Sequence, residues 1–201
     1  MRRNTIYKLL VAAGVVVLAV GGLLLWGSTY IHNQVTNQLA AQKVYFPPAS
    51  AFAHPKAGTE ITPSMIPSVS QYAGQQLLTG QQAQSYADNF IAVHLQEIGG
   101  GKTYAQLSTE AMALPTTSPK YAALEGQVQT VFRGDSLRSM LLNAFGWWKV
   151  SQITYIAALV SFGLGTVAAF AAGFAFATGR RTKTVTEVLP STGPDTKVKV
   201  A

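Results

Sequence analysis

The sequence predicts an all-α membrane protein, two transmembrane helices flanking a small helical extracytoplasmic domain. Three observations carry that prediction. Residues 9–26 and 153–177 form two runs free of Asp, Glu, Lys and Arg, each long enough for a bilayer. Hydrophobic residues make up 48% of the chain and charged ones only 11%, a balance typical of membrane spans. Between the two runs, apolar residues recur at helical spacing, and no alternating β-branched run of four or more appears.

The charge distribution sets the expected orientation. The net charge of +7 would suit a polyanion partner if it were clustered on a domain. Instead Arg2, Arg3 and Lys8 precede the first run, and Arg180, Arg181 and Lys183 follow the second. Over residues 29–148, Lys43, Lys56, Lys102, Lys120, Arg133 and Arg138 are cancelled by Glu60, Asp88, Glu97, Glu110, Glu125 and Asp135. The excess therefore flanks the spans and implies no nucleic-acid partner. By the positive-inside rule both termini are expected in the cytoplasm, and residues 29–148 outside the plasma membrane.

In chain order, residues 1–8 are a basic leader. Residues 9–28 follow as the first transmembrane helix, about 27 Å of it between Leu9 and Trp26 at ~1.5 Å per residue. Its apolar core is longer than that of a cleaved signal peptide, and the small-x-small site Ala51-Phe52-Ala53 lies far beyond it, with Leu39-Ala40-Ala41 also too distant, so it reads as a signal anchor. Ile31, Val35 and Leu39 carry one apolar stripe onward, so the helix is expected to leave the bilayer and continue to Gln42. Residues 43–71 hold Pro47, Pro48, Pro55, Pro63 and Pro67 and read as an irregular loop. Tyr45, Phe46 and Phe52 are its candidates for pinning to the helices or to the membrane surface.

Thr79-Gly80-Gln81-Gln82 has the form of a capping box opening a helix to Ile98, which Gly99-Gly100-Gly101 stops. Thr103-Tyr104-Ala105-Gln106 repeats the form and starts a helix to about Leu114. Ser118-Pro119 is an N-cap with proline at the first helical position. The helix that follows is expected to break or kink at Gly134-Asp135, then to resume over residues 136–145. Residues 149–178 form the second transmembrane helix, and residues 179–201 read as a disordered cytoplasmic tail rich in Thr, Pro and charge. Trp26, Trp147, Trp148, Lys149, Arg180 and Arg181 are the expected membrane-interface anchors.

Several short matches have bland explanations. Gly99-Gly100-Gly101-Lys102-Thr103 resembles the end of a phosphate-binding loop, yet Gln96 stands where the pattern needs glycine, so no nucleotide is expected. Leu189-Pro190-Ser191-Thr192-Gly193 has the letters of a cell-wall sorting signal, but the apolar span precedes it where a true signal has the span after. His32, His54 and His94 lack metal-ligand spacing, and His94, on an apolar helix face, is expected as a hydrogen-bonded packing residue. There is no cysteine nucleophile and no Gly-x-Ser-x-Gly elbow. No catalytic, cofactor-binding or metal residues are nominated.

The second run offers a different kind of site. Ser161, Gly165, Ala169, Gly173 and Ala177 recur every four residues, a small-residue stripe expected to pack against another helix, within the chain or on a partner. Gly14, Gly21 and Gly22 are the corresponding small residues of the first run.

Three segments carry a resemblance: Gln71-Tyr72-Ala73-Gly74-Gln75-Gln76, His94-Leu95-Gln96-Glu97-Ile98 with Gly100-Gly101-Lys102-Thr103-Tyr104, and Arg133-Gly134-Asp135-Ser136-Leu137-Arg138. The chain resembles, over about half its length, a family of uncharacterised two-span membrane proteins from actinobacteria, often labelled as aromatic ring-opening dioxygenases. The resemblance implies a Gram-positive plasma membrane and supplies no activity or site residues. The expected function is that of a non-enzymatic accessory or scaffold subunit of a membrane or cell-envelope complex. The alternatives are a homo-oligomeric two-span channel and an extracytoplasmic enzyme.

Overall fold

The computed structural model describes residues 3–56 and 58–187. It is 81% helix, with no strands among the described residues, and holds two long apolar helices with the length and composition to span a membrane. Helix α1 runs Arg3–Gln42, α2 Ile66–Val69, α3 Gly80–Tyr86, α4 Ala92–Ile98, α5 Tyr104–Met112 and α6 Pro119–Glu187. A π-helical turn, Ala87–Ile91, joins α3 to α4. Two compact units divide the chain: one comprises residues up to Leu25 and from Ile156 onward, the other Trp26–Tyr155.

The second unit has a core assembled from every part of its sequence. Val35 and Leu39 of α1 and Leu141 and Trp148 of α6 are buried with Ala83, Ala87 and Ile91 of the α3–α4 segment. The proline-rich stretch contributes Phe46, Ile61, Met65 and Val69, all at most 2% exposed. This departs from the irregular loop expected over residues 43–71. Its prolines shape short turns instead of freeing the chain: 3₁₀ turns lie at Ala49–Phe52, Pro63–Met65 and Ser70–Tyr72, with α2 between the last two. The loop is further fixed where the amides of Phe46 and Leu77 donate to the carbonyls of Gln75 and Val44, around the Tyr45–Gln76 bridge. Of the three aromatics proposed as pins, Phe46 is buried, Phe52 is half-buried and Tyr45 is exposed.

Both capping boxes are present. Thr79 Oγ1 accepts from Gln82 N at 3.2 Å while Gln82 Oε1 accepts from Thr79 N at 3.0 Å. Thr103 and Gln106 reproduce the arrangement at α5. Between them, Gly100 and Gly101 take φ of 59° and 77°, left-handed values that strain any residue with a Cβ, and this turns the chain out of α4. Helix α5 packs on α6 through a separate small cluster, Leu107 and Ala111 against Val128 and Val131.

Helix α6 differs from expectation at both ends of its course. No break occurs at Gly134-Asp135, and the helix is continuous from Pro119. Gly134 is there because Leu95 of α4 lies over it: a Cβ built at Gly134 would fall 2.3 Å from Leu95 Cδ2. A glycine inside a helix costs ~1 kcal/mol relative to alanine, too little to end a helix that is packed through Val131 on one side of it and Leu141 on the other. The helix also runs to Glu187, past the expected start of the disordered tail, since no glycine or proline intervenes between Gly179 and Pro190. The remainder of the tail, with the sorting-like Leu189–Gly193 letters, lies outside the described residues.

Candidate functional site: a small-residue helix pair and its apolar groove

In the first unit α1 and α6 pack through residues with almost no side chain. A Cβ added at Gly21 would lie 3.2 Å from Ser161 Cβ, and one at Gly14 would lie 3.4 Å from Ala168 Cβ. Gly165 is tightest, because its added Cβ would sit 2.6 Å from both Cγ and Cδ2 of Leu18. Ala158 and Ala172 are also buried. Close backbone approach of this kind is how helices associate where lipid removes the hydrophobic effect between them.

The stripe nominated from the sequence divides along its length. Ser161 and Gly165 face α1. Ala169 and Gly173 line an open apolar groove of about 340 Å³, whose other wall includes Tyr7, Gly14 and Leu18. Ala177 is exposed. The geometry of an α-helix explains the division, since a four-residue step advances about 40° beyond one full turn and the stripe winds off the contact face. A seven-residue step drifts only ~20°, and the buried small residues follow it: Gly14, Gly21 and Ser28 on α1, and Ser151, Ala158, Gly165 and Ala172 on α6. That heptad was present in both sequences and is the signal that identifies the packed face. A search for four-residue spacing passes over it.

The hydroxyls of Ser161 and Thr166 are engaged on their own helix. Ser161 Oγ donates to Ala157 O at 2.9 Å and Thr166 Oγ1 to Phe162 O at 2.7 Å. The outward surface holds large apolar side chains, with Leu23 69%, Phe170 76% and Phe174 74% exposed.

In the second unit the next heptad position on each helix is a serine. Ser28 Oγ donates to Ser151 O at 2.8 Å in a buried contact, and Ser151 Oγ donates to Trp148 O at 2.7 Å. Trp148, grouped with the interface anchors from sequence, belongs instead to this core: it is 6% exposed, with the His32 ring 4.1 Å from its own by centroid. Its other side meets the start of α3, where a Cβ at Gly80 would lie 2.3 Å from Trp148 Cβ. The adjacent tryptophans point apart because successive helical residues lie ~100° from each other. Trp147 is accordingly exposed, as is Trp26, whose ring stacks on Tyr30 at 5.8 Å. Lys149 lies 5.5 Å from the centre of the Phe145 ring, and the side chains of Arg180 and Arg181 lie outside the described residues.

Two further features organise this unit. The π turn carries Asp88 to Arg138 of α6, whose Nη2 donates to Oδ1 at 2.8 Å. Along the same segment Tyr86, Phe90 and His94 stack in order, with centroids 4.7 Å apart at each step, and Phe46 meets Tyr86 edge-on at 5.2 Å. His94 Nδ1 lies 2.8 Å from Phe90 O, so the ring is fixed by its own helix. Burial raises the Tyr86 phenol above its ordinary value, and the Glu60 carboxylate adds to the shift. A cleft of about 500 Å³ lined by Tyr30, Gln34, Gln38, Met140, Asn143 and Trp147 opens between α1 and α6.

No group of three or more His, Asp or Glu side chains stands within reach of one metal ion among the described residues. No protein-family model, curated protein or solved structure matches the chain.

Proposed function

We propose that the chain is a two-span plasma-membrane protein whose Trp26–Tyr155 unit stands on the outer face, and that it serves as an accessory or scaffold subunit of a membrane or envelope complex. One observation carries the membrane reading: the first unit is built inside out. Its buried residues are glycine and alanine (Gly14, Gly21, Ala158, Gly165 and Ala172), while its exposed large residues are leucine, valine and phenylalanine. A water-soluble helix pair places its large apolar residues inside, because their burial is what stabilises it. Only 11% and 17% of the most apolar windows of the two helices are buried, which supports membrane spans over core helices of a soluble domain. The flanking Arg2, Arg3, Lys8, Arg180, Arg181 and Lys183 support cytoplasmic termini. The likeness to two-span actinobacterial proteins supports a Gram-positive plasma membrane.

The choice of an accessory role over a channel follows from where the small and polar residues point. A homo-oligomeric pore needs them free to line a lumen. Here Gly14, Gly21, Ser161 and Gly165 are consumed by the pairing of α1 with α6, and Ser161 and Thr166 bond their own backbone. What remains outward in this unit is lipid-compatible, which leaves the outer unit to make the protein's specific contacts.

Reporter fusions at residue 100 and at the C-terminus test the orientation. An extracytoplasmic signal at residue 100 with a cytoplasmic signal at the C-terminus is expected, and a cytoplasmic signal at residue 100 overturns the scheme. Purification in mild detergent tests the role. Co-purification with a heterologous membrane complex is the expected result, and a defined symmetric homo-oligomer restores the channel.

A further inference from the structure

We infer that the groove between α1 and α6 seats one acyl chain of an anionic phospholipid from the cytoplasmic leaflet. The groove has the length of one leaflet. From Tyr7 to Leu18 it follows α1 for about 16 Å at ~1.5 Å per residue, close to half of the ~30 Å hydrocarbon core. Beyond Leu18 it is closed, because Leu18 packs on Gly165 and Gly21 packs on Ser161 and Phe162. A partner transmembrane helix needs a face running through both leaflets, and this recess ends near the middle. A single acyl chain needs only the half that is open.

The walls are suited to a flexible hydrocarbon. Gly14, Ala169, Ala172 and Gly173 supply depth, and Val11, Val15 and Phe176 supply apolar sides. Nothing lies within 4 Å of the position a Cβ would take on Gly173, so the recess there is open space. The basic residues next in sequence to the groove's lining then favour an anionic headgroup. Lys8 follows Tyr7 directly, and Arg180 and Arg181 stand about one helical turn beyond Phe176. No acidic residue occurs before Glu60, nor between Asp135 and Glu187, so this end is uniformly positive up to that point. Basic clusters between membrane helices on the cytoplasmic side attract anionic headgroups.

The inference rests on the membrane reading of the two apolar helices, which the reporter fusions test separately. Its own test requires no topology. Full-length protein is delipidated in mild detergent, and native mass spectrometry follows titration with phosphatidylglycerol or with phosphatidylcholine of the same acyl chains. A single retained phosphatidylglycerol, favoured about tenfold over phosphatidylcholine, is expected. Gly173→Leu fills open space and should abolish the retained lipid with helical content unchanged. Ala169→Leu, on the same wall, should do the same if Gly173→Leu proves unstable. Arg180→Gln with Arg181→Gln should lower phosphatidylglycerol binding to the phosphatidylcholine level. Equal retention of both lipids by the native protein, wild-type retention by both groove variants, or a dimer that Gly173→Leu dissolves would each overturn the inference. The last result would assign the groove to a second copy of the chain.

Discussion

Gly80 and Tyr86 show how much single atoms decide in the Trp26–Tyr155 unit. Gly80 is the first residue of α3, and its missing Cβ is what lets Trp148 lie against the helix start. The nearest atoms to that missing Cβ are Trp148 Cβ and Cγ, which are tied to the backbone of α6 and cannot swing aside. Gly80→Ala should therefore destabilise the unit by about 1–3 kcal/mol despite alanine's better helix propensity, as overpacked cores generally do. Thermal unfolding in detergent, followed by circular dichroism, measures it. Tyr86 makes a prediction in pH. Its folded pKa is raised by burial and by Glu60, so the unfolded state loses the phenol proton first. Its stabilising contribution is fully present below the ordinary tyrosine value of 10.0 and is lost as pH rises through the higher folded value. Flat relative to Tyr86→Phe below about pH 9, the native protein should lose thermal stability more steeply than that variant as the pH passes about 10, measured side by side so that other titrations cancel.

The elements show what was legible beforehand and what was not. Caps were legible, since Thr79 with Gln82 and Thr103 with Gln106 are local chemistry that needs no tertiary partner. Gly134 was misread because a glycine's reason lies across space: a helix breaker and a site of close approach look identical in sequence, and Leu95 is 39 positions away. The two explanations separate by experiment. The atoms over Gly134 are the methyl ends of a flexible leucine, so Gly134→Ala should cost less than Gly80→Ala, with ~1 kcal/mol of helix propensity offsetting the clash. In a Leu95→Ala background the clash disappears, and Gly134→Ala should become stabilising; a double-mutant cycle reads the coupling. Zero coupling would restore the kink explanation. The π turn at Ala87–Ile91 was equally invisible, because one extra residue in a turn leaves no signature in composition. The proline-rich stretch misled in the opposite direction, for its apolar residues Phe46, Ile61, Met65 and Val69 lack any helical or strand period yet are the most buried part of the loop. In the paired spans the decisive contrast is between Gly165 and Gly173. Gly165→Leu meets Leu18 and should part the helices, lowering the crosslinking yield between cysteines introduced at Gly21 and Ser161, whose Cβ positions lie 3.2 Å apart, whereas Gly173→Leu should leave that yield unchanged.

For the whole molecule, the sequence carried two kinds of information of unequal reach. Hydrophobic run length and charge asymmetry act on the entire chain at once, which is why two apolar helices were readable without any contact being known. Partner faces depend on a few ångströms of side-chain depth, and they emerged only once Gly14, Gly21 and Gly165 were seen facing one another. The charge argument can be pressed further, because each span supplies its own evidence for orientation. In the proposed topology Arg2, Arg3 and Lys8 favour a cytoplasmic start for the first span, and Arg180, Arg181 and Lys183 favour a cytoplasmic end for the second. Lys149 is the one opposing charge close to a span, and a single lysine against three basic residues at either terminus cannot reverse the preference. Neutralising Arg2, Arg3 and Lys8 to glutamine should therefore leave a reporter at residue 100 extracytoplasmic. Neutralising Arg180, Arg181 and Lys183 alone should do the same. Neutralising both sets leaves Lys43 as the nearest basic side chain to the first span and Lys149 as the nearest to the second, and should yield a mixed population, with a cytoplasmic fraction at residue 100 appearing for the first time. A mixed population from either single set would mean that one span alone dictates insertion and that the other follows it passively.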